Sequence, residues 1–453
     1  MSSVEQAKSD LAARLLGARG RKKIHKNTAD GIPAGEGSVT REPKRLTDHP
    51  GIAQTQAMQQ LAKEHDMDTA HGGYFVAQRK LGNGRALTDD GRDMINFSSY
   101  DYLGLGDNLE IREAAREAIS RYGTSLSATR TVGGEIDLYQ ILESEIADFV
   151  GTEAALLFVS GYLTNLAFLG YAVTQNDLVI HDDLSHNSMI NGVRLSWAKR
   201  LSFRHNDPDH LDSMLKLHRN TAEVCLVMIE GVYSMDGDIV RLPEILEVAR
   251  RHNCDVFIDE AHSFGVLGAT GRGVLEYYGI EYSSDIILMN TVSKALASVG
   301  GYIACDKPLL EAVRWQASGA SLYCAPMPPA QTAATLAAIR TLKASPELPA
   351  RVREKAKLFS DELIRYGLNI GFSSGTAVVP ILTGSSTAAV KLSIMLRERD
   401  IIAYAVLYPV VPDHMARVRF FVSAAHREQD LIETAAIVAD CAKKAGVPKV
   451  PGF

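Results

Sequence analysis

The sequence predicts an α/β protein: a mainly parallel central sheet with helices on both faces, followed by a smaller C-terminal α+β domain. Three observations predict it. Short apolar runs alternate with amphipathic helical stretches through the middle of the chain, the order that gives parallel strands joined by helical crossovers. The runs are continuously apolar with little period-two alternation, as strands covered on both faces require. After Pro328-Pro329 the pattern changes to a long helical stretch and then to separated strand signals.

Taken in order, residues 1–50 read as a flexible basic N-terminal extension. A short helical stretch at 4–16 gives way to a Gly-, Pro-, Lys- and Arg-rich segment with little apolar periodicity. Its charges (Arg14, Arg19, Arg21, Lys22, Lys23, Lys26) read first as a solvated tail and, as the sharper alternative, as a dock for an acidic partner such as an acyl carrier protein. Residues 51–105 form an N-terminal segment, 106–342 the large domain and 343–453 the C-terminal α+β domain. Asn108 stands before LEIREAAREAISRY, whose apolar positions recur at three- and four-residue intervals, so a capped helix is expected there. Strands or strand ends follow at ALLFVS (155–160), LVIH (178–181), VCLVMIEG (224–231), DVFIDEAHS (255–263), DIILMNTVS (285–293) and GYIACD (301–306). Helices are read at 211–220 and 242–252, and from Pro329 to about residue 343. VVPILTG (378–384) and ARVRFFVSAAH (416–426) supply the strands of the last domain.

Composition narrows the function. The 453 residues are 46% hydrophobic and 23% charged, which excludes a wholly disordered chain and supports a large core without disulfides or structural metal. A net charge of −6 argues against a protein that holds nucleic acid by bulk charge. The five cysteines (Cys225, Cys254, Cys305, Cys324, Cys441) form neither a CxxC pair nor a metal-spaced cluster. They read as reduced thiols of a cytoplasmic enzyme with no metal site. The most apolar stretch, 154–173, is broken by Ser160, Gly161, Thr164, Asn165 and Gly170, which suits a core strand, turn and helix and not a membrane span. The N-terminus has no sustained apolar run, so no secretory signal is expected.

The chemistry is sought at strand ends, where parallel sheets place ligands. Lys294 in TVSKALASVGG follows a strand among small and hydroxyl residues, with no further charge before Asp306. Such a lysine is a candidate for a depressed pKa and for Schiff-base chemistry, beside an anion held by Thr291 and Ser293. Asp259 closes the apolar approach DVFID and needs a cationic partner to offset its desolvation; a protonated pyridinium nitrogen is one. His262 lies three residues on. Ser160-Gly161 and Tyr162 open a helical stretch after ALLFV, where free N–H groups make a phosphate cup. HDDLSHNS (181–188) delivers His186, an aromatic able to stack on a ring, and EGVYSMDGD (230–238) delivers Glu230, Ser234 and Asp236. Each has a bland alternative: a capped turn, a solvated loop histidine, a surface lysine. Their succession, each at a strand end, favours one shared site.

SSYDYLGL, SGYLTN, DDLSHNS, EGVYSMDGD, DEAHSFGVLGATGRG, TVSKALASVGGY, MPPA and ARVRFFVSAAH together resemble the α-oxoamine synthases, fold-type-I pyridoxal-phosphate enzymes. The resemblance runs from about residue 74 to 445. It implies the cofactor pyridoxal 5'-phosphate and a decarboxylative Claisen condensation of a small amino acid with an acyl thioester of coenzyme A or an acyl carrier protein. It implies too that the protein is a homodimer. By the same resemblance Lys294 bears the cofactor and acts as base, Asp259 pairs the ring nitrogen, His262 bonds the ring hydroxyl, and His186 stacks on the ring and polarises the thioester carbonyl. Ser160, Gly161, Tyr162, Glu230, Ser234, Thr291 and Ser293 line the phosphate and ring. Arg419 grips the substrate carboxylate and Tyr100 lies on the substrate side. Tyr100 stands where many relatives have Asn, and resembles the serine palmitoyltransferase pattern. YCAP (323–326) lacks the Ser or Thr expected to reach a neighbouring subunit's phosphate, and Ala297 replaces a frequent glycine. Two alternatives stay open: another fold-type-I chemistry, such as an aminotransferase or aldolase, or a catalytically idle subunit.

Overall fold

The computed structural model describes residues 45–53, 55–56, 77–317, 319, 322–407 and 410–450. The helix read at 4–16 and the basic arm as far as residue 44 lie outside them. The chain divides into two compact units, residues 1–67 and 68–453. The described part of the first holds a short 3-10 turn, Leu46–Asp48, whose Asp48 carboxylate accepts the Arg45 N–H at 2.8 Å.

Three strands open the second unit: β1 (Gln78–Gly82), β2 (Arg85–Thr88) and β3 (Asp93–Asn96). Then come β4 (Ala154–Phe158), β5 (Leu178–Asp182), β6 (Lys199–Phe203), β7 (Cys225–Glu230), β8 (Asp255–Asp259), β9 (Ile286–Thr291) and β10 (Gly301–Cys305). These form one seven-stranded sheet in the order β4-β10-β9-β8-β7-β5-β6. Neighbours from β9 through to β6 are parallel, whereas β10 runs against both β9 and β4. The sheet is therefore mixed, with one reversed strand.

The apolar runs form strands covered on both faces. Along β7, Cys225, Val227 and Ile229 enter the core on one face while Leu226 and Met228 enter the core on the other. Helices cap both. The helix Leu109–Tyr122 begins where Asn108 Oδ1 accepts the Ile111 N–H at 3.2 Å, and Pro329–Ala344 begins at the second proline of MPPA. The helix expected at 211–220 starts earlier, at Pro208, because Asp207 caps it by accepting the His210 N–H at 2.9 Å.

The chain ends in β11 (Val378–Leu382), β12 (Ile401–Ile402), β13 (Tyr404–Val406) and β14 (Arg417–Phe421). β14 is the centre of a three-stranded sheet, β11-β14-β13, covered by the helices Leu348–Arg365, Ser386–Glu398 and Glu428–Ala445 around a separate core. β12 pairs with β3, so the opening hairpin and the C-terminal region share a sheet. None of the described helices is long and apolar enough to cross a membrane.

Candidate active site

The C-terminal ends of β4, β5, β7, β8 and β9 deliver the residues singled out from the sequence. Ser160 caps the helix Gly161–Ala172: its Oγ accepts the Leu163 N–H at 3.2 Å, and its carbonyl accepts that of Thr164. The N–H groups of Gly161 and Tyr162 are left without a protein acceptor among the described residues, as the first turn of a helix requires. A side chain at Gly161 would meet Thr291 Cβ at 2.6 Å, so only glycine lets the cup close on β9. Thr291 Oγ1 donates to the Gly300 carbonyl (3.0 Å) and sits 2.7 Å from Ser293 Oγ. This places both hydroxyls beside the helix start.

Lys294 lies in the loop from β9 to β10, half-buried. Its Nζ is 2.8 Å from His262 Nε2, and His262 Nδ1 is 2.6 Å from the hydroxyl of buried Tyr102. Burial pulls the lysine down to about 8, against the opposing pull of Asp259. The same burial, with Lys294 and Arg419 nearby, holds His262 well below the usual imidazole range, so the ring is neutral.

Asp259, the last residue of β8, accepts the Ala261 N–H at 3.0 Å and the Asn165 amide at 3.1 Å. That amide also donates to Ser188 Oγ at 2.8 Å. The Ser188 hydroxyl hydrogen is thereby free to reach His186 Nδ1 at 2.7 Å, and the Ser188 N–H points at the same nitrogen. Both partners donate, so the proton of His186 belongs on Nε2. Burial lowers this histidine too. Glu230, the last residue of β7, is pushed well above the carboxylate range by burial and by Asp259, and keeps its proton. Its Oε2 accepts the Ser234 N–H at 3.2 Å.

Arg419 reaches in from the middle of β14. Nη1 donates to the Ser234 carbonyl at 2.6 Å, Nη2 lies 3.4 Å from the Tyr100 hydroxyl, and the guanidinium stacks on Phe421 at 4.6 Å. No carboxylate pairs with it among the described residues. Tyr100 also places its ring 5.6 Å from Lys294 Nζ. The structure thus links Lys294 with His262 and Tyr100, Asp259 with His186 through Asn165 and Ser188, and Arg419 with Ser234 and Tyr100. Tyr162 diverges: its side chain is exposed and bonds to Asn187 and Asn191, leaving its backbone as the part turned to the site.

Sequence reasoning missed the connectors. Tyr102, Asn165 and Ser188 lie inside the motifs SSYDYLGL, SGYLTN and DDLSHNS, but a tyrosine or asparagine in an apolar helix or turn gives no signal until its partner is known. The supports were missed as well. Buried Arg417 pairs with Asp236 at 2.7 Å and fixes the turn that carries Ser234. His205 bridges Asp182 (2.9 Å) and Asp238 (3.1 Å), whose carboxylates raise it to about 10. Arg130 is committed to Glu135 and Glu143, a structural cluster.

Three polar atoms here lack a hydrogen-bond partner among the described residues: Asn165 Oδ1, Glu230 Oε1 and Arg419 Nε. Buried polar groups are seldom left so, and their position points to a ligand. The free N–H pair and hydroxyls suit a phosphate, the Asp259 carboxylate suits a protonated ring nitrogen, and Lys294 suits an aldehyde. The residues therefore fit the cofactor the resemblance implies.

Comparison with known proteins agrees. The family model for aminotransferase class I and II matches residues 92–438. The 8-amino-7-oxononanoate synthase of Symbiobacterium thermophilum is 38% identical over 358 residues, 79% of this chain and 91% of that protein. That of Thermoanaerobacter pseudethanolicus is 37% identical over 342 residues, 76% of this chain and 86% of that one. Among solved structures, serine palmitoyltransferase from Sphingomonas wittichii superposes with a TM-score of 0.83 at 27% identity, covering 89% of this chain and all of that one.

Proposed function

The chain belongs to the aminotransferase class I and II family and, within it, to the α-oxoamine synthases, and we propose that its site condenses a small amino acid with an acyl thioester. Carbon dioxide and a free thiol leave, and an α-amino ketone forms. The reading rests on one observation above all: a lysine amine held near neutrality lies within the field of the buried Asp259 carboxylate, at the ends of adjacent parallel strands.

Bound here, pyridoxal phosphate supplies an electron-poor ring that takes up the charge left when a Cα proton is removed. The chain's own residues do the rest. Gly161 and Tyr162 N–H groups, with the Ser160, Thr291 and Ser293 hydroxyls, hold the phosphate. Asp259 holds a proton on the ring nitrogen, Ser234 and neutral Glu230 border the ring, and His186 covers it and offers Nε2–H to the thioester oxygen. Arg419 binds the amino-acid carboxylate in a two-pronged, charge-assisted pair, with Tyr100 beside it. Lys294, as free base, takes the Cα proton and later returns one to carbon.

The acyl donor we infer is a carrier-protein thioester, since the basic arm of residues 1–50 matches an acidic carrier. We infer a homodimer, the assembly the resemblance implies. The described thiols are all free, and four of the five are buried, which fits a reducing compartment such as the cytoplasm.

The test is a visible spectrum of the purified protein, titrated with glycine, alanine and serine and then with acyl donor as coenzyme A ester or carrier thioester. Expected is a yellow protein whose long-wavelength absorbance rises with one amino acid and grows with the thioester. Conversion of the cofactor to its amine form by amino acid alone marks an aminotransferase, and a colourless protein marks an idle subunit. Equal rates with both donors, unchanged on removing residues 1–50, exclude the carrier preference.

The phosphate cup gives a second prediction. Gly161→Ala brings a methyl against the β-branched Thr291. Overpacking of this kind costs about 1–3 kcal/mol, so cofactor affinity is expected to fall roughly ten- to hundredfold, read by equilibrium dialysis. Unchanged affinity means that the phosphate sits elsewhere.

A further inference from the structure

We infer that Tyr102 is a positioning residue: by donating its hydroxyl hydrogen to His262 Nδ1 it fixes that ring with its proton on Nε2, and so favours the free-base form of Lys294. The inference deepens the functional reading above, since it concerns the same lysine.

Tyr102 and His262 are both buried, and the Tyr102 hydroxyl has no hydrogen-bond partner other than His262 Nδ1 among the described residues. Burial pushes the phenol well above its usual range, so it keeps its hydrogen, and the neutral ring carries one more. Two arrangements satisfy the 2.6 Å and 2.8 Å separations. In the first, the phenol donates to Nδ1, and Nε2–H donates to the lone pair of an uncharged Lys294 amine. The phenol and imidazole hydrogens then each have an acceptor. In the second, a Lys294 ammonium donates to Nε2, and Nδ1–H donates to the phenol oxygen, whose own hydrogen is left pointing at nothing. An unsatisfied buried donor is costly. Tyr102 therefore works against the ammonium, in the same direction as desolvation.

The other groups around the amine do not do this. Asp259 and Glu230 at the ends of β8 and β7 favour the charged lysine; Arg419 from β14 disfavours it through space. His186 is neutral, and Tyr100 offers a ring face. Among the described residues, only the Tyr102–His262 pair acts on the amine through directed hydrogens.

The test uses the full-length protein freed of cofactor. Competitive acetylation with acetic anhydride, read by mass spectrometry of the Lys294 peptide, gives the free-base fraction across pH. The wild type is expected to reach its half-point near pH 8. Tyr102→Phe, which removes the bias and keeps the ring, is expected to hold the proton about tenfold more tightly, moving the half-point to about 9. Imidazole nitrogen-15 shifts, assigned with His262→Gln, are expected to place the wild-type His262 proton on Nε2. A wild-type proton on Nδ1, or a Tyr102→Phe lysine that titrates with the wild type, overturns the inference. The ring measurement needs only the wild-type protein, so a variant that folds poorly does not rescue it. Failure of the functional reading is separate: a protein that takes up no cofactor ends that reading and leaves both measurements standing.

Discussion

Lys294→Ala is expected to abolish turnover, a loss of at least about 10³-fold, because the proposed mechanism gives one side chain both the attachment of the cofactor and the role of base. The visible band of lysine-bound cofactor should vanish with it, while the phosphate cup, built from the backbone of Gly161 and Tyr162, stays intact. Non-covalent cofactor binding is therefore expected to survive, and added methylamine to restore part of the activity. The measurements are kcat and the absorbance spectrum of the same preparation. Normal colour and turnover in this variant remove Lys294 from the site. The change also frees His262 Nε2, which bonds the amine at 2.8 Å, so a small fall in melting temperature belongs to the expected result.

Asp259→Asn should separate binding from chemistry. The carboxylate accepts from Ala261 and from Asn165, and an asparagine oxygen can keep either bond once the amide turns. The shape of the β8 end is preserved and the charge is lost. Without that charge the proton on the ring nitrogen is no longer held, and removing a preorganised electrostatic partner of this kind lowers turnover by about 10²–10³-fold. Cofactor content, measured by absorbance after gel filtration, should stay near one per chain while kcat falls. Wild-type turnover in the variant would contradict the assignment of Asp259 to the ring nitrogen.

Much of this was legible because chemistry and fold share the same punctuation. A buried parallel strand must be apolar throughout, so a sudden Asp, Glu or Lys at its end is conspicuous; Asp259, Glu230 and Lys294 all stood out that way. The capped helix after Asn108 announced itself by periodicity. What stayed hidden had no such contrast. The hairpin β1–β2 turns on Asn83-Gly84, both at positive φ (52° and 69°). That pair is itself a strong turn signal, but β1 is exposed and mostly polar and β2 is only four residues long, and hydrophobic patterning passed over them. The reversal of β10 was illegible because an apolar run carries no direction. Ala297 read as a mild replacement for glycine, yet it sits at φ 47°, where a Cβ carries a steric cost of about 1–2 kcal/mol. Tyr102, Asn165 and Ser188 are legible only as pairs, and pairing across the chain is what tertiary structure adds.

The reversed strand has a wider meaning. Because β10 returns beside β9, the amine is mounted on a closed hairpin, stitched at its base by Val292 and Gly300 and flanked by β8 on one side and the edge strand β4 on the other. A lysine carried at the start of a crossover helix would shift whenever that helix adjusted its seat. This one inherits the stiffness of the frame. On the proposed assignment, accommodation of different amino acids falls to Tyr100 and Arg419, which come from outside that frame, so substrate preference is free to drift over evolutionary time while the reacting nitrogen stays put.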